Sequence, residues 1–394
     1  MSVSPQRRFP SQKAVVRLLD SRCVEISLHA RLSVEDVLQR IAEQCDINPH
    51  DSRFFGLAFA DHLGYFHWLE NSLILSDLAD QIKENKYLLL SHNVRFFVDS
   101  VYDIQCASTA KFYFLEVHNQ IVRHELTVSE DVYIELMASV LTVYAPDFSE
   151  EAVRDVLRHI LPHSHPRHLL LGHDDVDAAA EDLERRVVDH YNHIRGRSLG
   201  LAIVSFLSKA EVCDSYGYRF YEVFDDGGRK CLLALGSKGI FIYSMDTLDE
   251  CLQKFHWRQL DNLYYRETKF SIEIRDTKRD ESFETSFGSE LVDEQLSEAF
   301  SHPTTQVSTS RRRSRVFIYN FRCETSHVCR TIWSSSIAQH QFFLERRNLG
   351  KAGGIASSSR AAFFGSPLDY LIRRNARKTT ATLVPVLRHY FCRP

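Results

Sequence analysis

The chain has 394 residues, with 48 Lys or Arg against 52 Asp or Glu and a formal net charge of −4. Such a length predicts two or three domains. An apolar share of 44% beside 25% charged residues excludes a fibrous or wholly disordered chain, and the near-balance of charge argues against a dedicated nucleic-acid binder.

No apolar run reaches the roughly 18 residues a membrane span needs. Met1 to Pro10 carries two arginines but no apolar stretch, so it does not read as a secretory signal. Nine cysteines are scattered singly, with no CxxC and an odd total, which predicts reduced thiols in a cytosolic chain rather than a disulfide frame or a zinc site.

Three blocks and a tail follow from the periodicity. In the first, residues 14–92, Val24, Ile26 and Leu28 alternate with Cys23, Glu25 and Ser27, the pattern of a half-buried strand. Val15 to Leu19 is its hairpin partner across Asp20-Ser21-Arg22. Ser33 and Asp36 form a capping box ahead of Val34, Val37, Leu38, Ile41, Ala42 and Cys45, one apolar stripe on a helix. Strands are expected at Arg53–Ala60, Tyr65–Glu70 and Tyr87–Ser91, which together make a small β-grasp sheet on one helix.

The second block, residues 93–215, changes period. Phe112, Leu115, Ile121 and Val122 lie on one helical face, Val132, Leu136, Val140 and Leu141 on another, and Val153, Val156, Leu157 and Ile160 on a third. Leu183, Val187, Tyr191 and Ile194 follow, then Ala202, Ile203, Phe206, Leu207, Ala210 and Cys213. Ser129-Glu130-Asp131 and Ser149-Glu150-Glu151 read as helix starts, with acids where the helix dipole favours them. A helical bundle is expected.

The third block, residues 216–347, returns to strands at Arg219–Phe224, Cys231–Leu235, Gly239–Tyr243, Lys254–Trp257, Leu260–Arg266, Phe270–Arg275 and Val316–Phe321. A long amphipathic helix through Val328, Ile332, Trp333, Ile337, His340 and Phe343 closes it, the pattern of a pleckstrin-type sandwich. Residues 277–314 interrupt the block with a polar insertion holding one short helix, Glu290–Phe300. Residues 348–394 are a basic tail whose composition predicts disorder until a partner is met: Lys351, Arg360, Arg373, Arg374, Arg377, Lys378, Arg388 and Arg393 face the single Asp369.

Two patterns invite an enzymatic or metal reading. Cys213 and Arg219 have the Cys-x5-Arg spacing of tyrosine phosphatases, whose chemistry needs a thiolate in a nest of amides with Arg closing on phosphate. Asp214 opposes both charges, and Cys213 completes the stripe of Phe206 and Ala210, so a packed core thiol is the simpler expectation. His163, His165, His168 and His173 crowd a short stretch, yet their spacing fits no standard zinc pattern; loop histidines are expected, with no metal. No nucleotide-cradling glycine loop occurs.

Cys329-Arg330-Thr331-Ile332-Trp333, running on to His340-Gln341-Phe342-Phe343, reproduces the Cys-Lys-x-Leu-Trp…His-x-Phe-Phe closing helix of a known family. Phe255-His256-Trp257 stands where that family has Phe-Pro-Trp. Tyr216-Gly217, Arg195-Gly196 and Leu235-Gly236-Ser237-Lys238-Gly239-Ile240 also match, in order. The chain from Ala14 to Arg347 thus resembles the FERM domain of the band 4.1 superfamily. Arg53-Phe54-Phe55-Gly56-Leu57 and Phe255-His256-Trp257 lean toward its Expanded/Willin group. The middle block departs from the pattern, with little of the family's Gln-rich helix or Gly-Asp-Tyr segment.

The resemblance implies an α+β clover of a ubiquitin-like β-grasp lobe, a helical lobe like acyl-CoA-binding protein, and a PH/PTB-like sandwich with a C-terminal helix. It implies no cofactor. It also implies a groove between the strand Leu260–Arg266 and the closing helix that takes an extended peptide as an added strand. Matched by position, the groove residues are Leu260, Asp261, Leu263 and Tyr265 on the strand and Trp333, Ile337 and His340 on the helix. Leu263, Tyr265 and Trp333 read equally as core. Asp261 suits a Lys- and Arg-rich juxtamembrane tail by charge.

Anionic lipid is the second implied partner. Only Lys269 matches the family's lysine pair, its neighbour being Thr268; the tail cluster Arg373, Arg374, Arg377 and Lys378 is the substitute, with Thr379 as a phosphorylation switch. The expectation is a non-enzymatic adaptor, cytoplasmic and peripheral at the plasma membrane, cell cortex and junctions. It would bind cytoplasmic tails of membrane proteins, anionic phospholipids and cytoskeletal proteins. The alternative is the targeting module of a larger tyrosine phosphatase or kinase, against which stands the lack of a catalytic block after Arg347.

Overall fold

The computed structural model describes residues 13–61, 64–81, 87–145, 149–170, 175–245, 251–275 and 316–352. The insertion 277–314, the expected helix Glu290–Phe300 and the tail residues Arg373, Arg374, Arg377, Lys378 and Thr379 lie outside them.

In the first lobe β1 (Lys13–Arg17) pairs antiparallel with β2 (Cys23–Ser27). The helix α1 (Val34–Gln44) starts where expected: Ser33 Oγ accepts the Asp36 N–H at 3.1 Å and Asp36 Oδ2 accepts the Ser33 N–H at 2.9 Å. After α2 (Pro49–Ser52) come β3 (Phe55–Ala60), β4 (Phe66–Trp68), α3 (Leu75–Gln81) and β5 (Tyr87–Val94). The sheet order is β2-β1-β5-β3-β4, with β5 parallel to β1, so the one long helix packs on a β-grasp sheet.

Details differ from the sequence expectation for local reasons. The first strand ends at Arg17 rather than Leu19, because Leu18 donates to the Arg22 carbonyl and Ser21 takes a positive φ of 63° in the turn. The third begins at Phe55 rather than Arg53: Asn48 caps a helical turn led by Pro49, and Arg53 is that turn's C-cap.

The middle lobe comprises α4 (Ala107–Val122), α5 (Glu130–Tyr144), α6 (Glu150–His159), α7 (Leu161–Ser164), α8 (Arg167–Leu170), α9 (Val176–Ile194) and α10 (Leu199–Ala210). α4 and α5 are buried on nearly every side, so the single stripe expected for each understates them; Phe114 and Val117 are as buried as Phe112. Ser149 caps α6 through the Ala152 N–H, whereas Ser129 starts α5 without a side-chain bond.

The third lobe is a seven-stranded sheet in the order β10-β11-β12-β6-β7-β8-β9. Its strands are β6 (Arg219–Phe224), β7 (Lys230–Gly236), β8 (Gly239–Ser244), β9 (Cys251–His256), β10 (Leu260–Arg266), β11 (Lys269–Arg275) and β12 (Val316–Cys323), and α11 (Ser326–Ala352) closes it. Trp257, Phe270, Ile272, Phe321 and Ile332 are buried between sheet and helix. Among the described residues the end strands of this order, β9 and β10, each pair on one side alone.

The lobes are held together by contacts far apart in sequence. Phe342 of α11 stacks on Phe96 at 4.6 Å and meets Phe54 edge-on at 6.1 Å, so the second half of α11 packs on lobe one. Gln339 donates to the Arg95 carbonyl at 3.1 Å. His67 bonds Asp61 Oδ2 through Nε2 at 2.8 Å and Thr331 Oγ1 of α11 through Nδ1 at 2.5 Å. Between lobes two and three, Gln120 donates to the Tyr218 carbonyl and accepts the Gly217 N–H. Gly217 has a φ of 71° and packs against the Phe97 side chain, with which an added Cβ would collide.

Candidate peptide-docking groove

β10 and α11 run in opposite directions along one border of the sandwich. Near the C-terminal end of β10, the Trp333 indole N–H donates to the Leu263 carbonyl at 2.9 Å and its ring lies 5.0 Å from that of Tyr265. At the other end His340 stacks on Trp257 at 5.5 Å, and Leu260 is half-buried just beyond the short 3-10 turn Trp257–Gln259. Ile337 stands between, half-buried against the lobe-three core. Burial and then Arg347 lower the affinity of His340 for a proton, so it is an apolar-leaning wall at neutral pH.

The expected residues divide accordingly. Leu263 is 7% exposed and belongs to the core, while Asp261 is exposed and Tyr265 is 38% exposed. Asp261 sits where the register between β10 and β11 shifts, so a bulge holds it out of the ladder. Lys269 is exposed, as is Arg266, at the tight β10–β11 turn. Asn262 was not expected: its Oδ1 accepts the Leu263 N–H at 2.9 Å. The signal in the sequence was an asparagine within a strand, a residue type that strands disfavour and that bonds local backbone readily.

The phosphatase spacing is not a site. Burial, and then Asp214, push the Cys213 thiol up to about 11, the opposite of an activated nucleophile. Arg219 is committed elsewhere: Nη1 pairs with buried Glu116 at 2.7 Å and Nη2 donates to the Val94 carbonyl at 3.1 Å. In the histidine stretch, burial lowers His165, whose Nε2 lies 3.5 Å from Glu184. The side chains of His163 and His168, like the whole of His173, lie outside the described part of the chain. Among the described residues no three His, Cys, Asp or Glu groups converge as a metal site.

A second concavity, a cleft of about 670 Å³, lies between α1 and α11. Glu35, Glu43, Glu70 and Glu345 line it against Arg53 and Arg95.

This architecture agrees with family models. Residues 16–81 match the FERM N-terminal domain, 99–221 the FERM central domain and 225–351 the FERM C-terminal PH-like domain, together well over half of the chain. The chain belongs to the FERM family of the band 4.1 superfamily. The FERM and C-terminal domain complex of Drosophila Merlin has the same fold, with a TM-score of 0.63 at 18% identity over 86% of this chain and 98% of that one. The human Myosin 7b C-terminal MyTH4-FERM domain, solved in complex with harmonin-a PDZ3, gives 0.53 at 14% identity over 66% of this chain and 55% of that one.

Among curated relatives, human tyrosine-protein phosphatase non-receptor type 14 is 22% identical over 68% of this chain and 22% of its own length. The mouse FERM, ARHGEF and pleckstrin domain-containing protein 2 is 22% identical over 69% and 24%. The chain thus spans less than a quarter of the length of these relatives. A FERM fold fits a membrane–cytoskeleton adaptor role, and among the described residues no helix is long and apolar enough to cross a membrane.

Proposed function

We propose that this FERM chain is a non-enzymatic adaptor that docks cytoplasmic tails of membrane proteins at the cell cortex, through the border between β10 and α11. The observation that carries this reading is the side of β10 left unpaired among the described residues, at the end of the sheet and beside the half-buried Trp333, Ile337 and His340. An extended peptide gains main-chain bonds from such an edge and specificity from the side-chain pockets next to it. Exposed Asp261 favours basic tails.

Ile337→Glu tests it, since a carboxylate in the groove disfavours an apolar ligand side chain while the fold is kept. Binding of basic, juxtamembrane-type peptides should fall at least tenfold with unchanged circular dichroism; unchanged affinity would move the site elsewhere.

Anionic lipid is the second partner of this reading. Each Lys or Arg near such a surface adds about 1 kcal/mol, so exposed Lys269 needs the tail cluster Arg373, Arg374, Arg377 and Lys378 to hold a membrane, and phosphorylation of Thr379 would weaken it. Co-sedimentation with phosphatidylserine vesicles should fall for residues 1–352 relative to 1–394, and fall for both as salt rises. Equal binding by the two would remove the tail from the account.

A second reading is favoured by the relative that is itself a phosphatase: the FERM unit targets a larger enzyme. A transcript carrying a catalytic block in frame with this sequence would decide for it.

A further inference from the structure

The hydrogen-bonding directions along β10 follow from its turn. Arg266 and Lys269 flank the two-residue link Glu267-Thr268, and the pair closing such a turn exchanges both ladder bonds. Bonded and non-bonded pairs then alternate. Tyr264 with Ser271 and Asn262 with Glu273 face β11, whereas Tyr265 opposite Phe270 and Leu263 opposite Ile272 turn their N–H and C=O groups to the free side. An added strand therefore has Leu263 and Tyr265 as its neighbouring pairing stations.

At Leu263 both groups are already taken. Its N–H donates to Asn262 Oδ1 at 2.9 Å, and its carbonyl accepts the Trp333 indole N–H at 2.9 Å. Tyr265 carries no such cap among the described residues. A carboxamide from the strand and an indole from the helix thus satisfy the one edge station that the core holds in place, Leu263 being buried.

We propose that Asn262 and Trp333 are the specificity-determining residues of strand addition on β10: a ligand strand pairs its backbone at Tyr265 and reaches Leu263 only by displacing both side chains. The inference rests on the reading of β10 and α11 as the docking groove, and it narrows the ligand. The peptide residue opposite Tyr265 needs its backbone N–H. The residue opposite Leu263 does not, so it tolerates an N-methylated backbone at no loss.

The full chain can be titrated with a fluorescein-labelled basic strand-forming peptide, Lys-Val-Thr-Val-Lys-Val-Thr-Lys. Asn262→Ala and Trp333→Phe, which keeps an aromatic ring but removes the donor, should each bind about two- to tenfold more tightly than the natural chain, the worth of one displaced hydrogen bond. Without peptide, the Leu263 amide should exchange with deuterium at least tenfold faster in Asn262→Ala.

Unchanged affinity and exchange in these variants, with binding still lost in Ile337→Glu, would overturn the inference and leave the docking groove standing. Equal binding by Ile337→Glu and the natural chain, or binding by none of the proteins, would overturn both.

Discussion

His92 illustrates how burial alone decides a residue's chemistry. It is fully enclosed at the junction of lobes one and two, stacked on Phe55 at 4.9 Å, and desolvation pulls its affinity for a proton down to about 3. His118, enclosed in the helical lobe, is pulled down to about 4 by the same cause. The unfolded chain takes up protons on these rings from an ordinary histidine value near 6.5 downward, and the folded chain does not. Their contribution to stability is therefore complete above that value and is lost as pH falls toward 3, at about 1.4 kcal/mol per pH unit for each ring. His92→Phe should flatten the fall of the unfolding free energy between pH 6 and 4, measured by urea titration, by about that slope, and an unaltered profile would show that some other group controls acid unfolding. Cys213 makes the same point about spacing: a Cys-x5-Arg pattern is legible in sequence, but only burial and the commitment of Arg219 to Glu116 and Val94 reveal that it has no reactive thiolate.

At the scale of the element, local codes were read well. The capping box of α1, the stripes of α9 and α10 and the closing helix α11 all depend on residues within a turn or two of each other. Ser33→Ala should cost about 1 kcal/mol by leaving the Asp36 N–H of α1 without its acceptor, measurable as a lowered urea midpoint. No change would mean that lobe-one packing, rather than the cap, sets where α1 begins. The misplaced strand end at Leu19 and strand start at Arg53 have an equally local cause, a turn and a capped helical turn that apolar alternation does not register. The strand β10 and the closing helix α11 were each legible as elements. The capping of Leu263 by Asn262 and Trp333 was not, because Leu263 and Trp333 are 70 residues apart.

For the whole molecule, α11 is the element that makes three lobes into one body. Its first half closes the lobe-three sandwich, and its second half sets Phe342 against Phe96 and Phe54 and Arg346 against Asp103 of the linker into lobe two. Phe342→Ala should cost about 3–5 kcal/mol through the cavity left at this junction. Limited proteolysis should then release lobe three ahead of lobes one and two, whose buried residues form one continuous core. A variant that still melts and is cleaved like the natural chain would mean that α11 does not couple the lobes.

Period, capping residues and the closing-helix motif were enough to establish a β-grasp lobe, a helical lobe and a sandwich in that order. These signals come from neighbours along the chain, whose geometry is set by backbone sterics and the burial of one face. Which groups pair across the lobes was decided only on folding: His67 finds Thr331 across 264 residues, and α11 packs against a sheet built from the other end of the chain. Such partners share no period or spacing, and packing alone selects them. The same holds at the β10 edge, where an indole on α11 determines which backbone groups stay open to a partner.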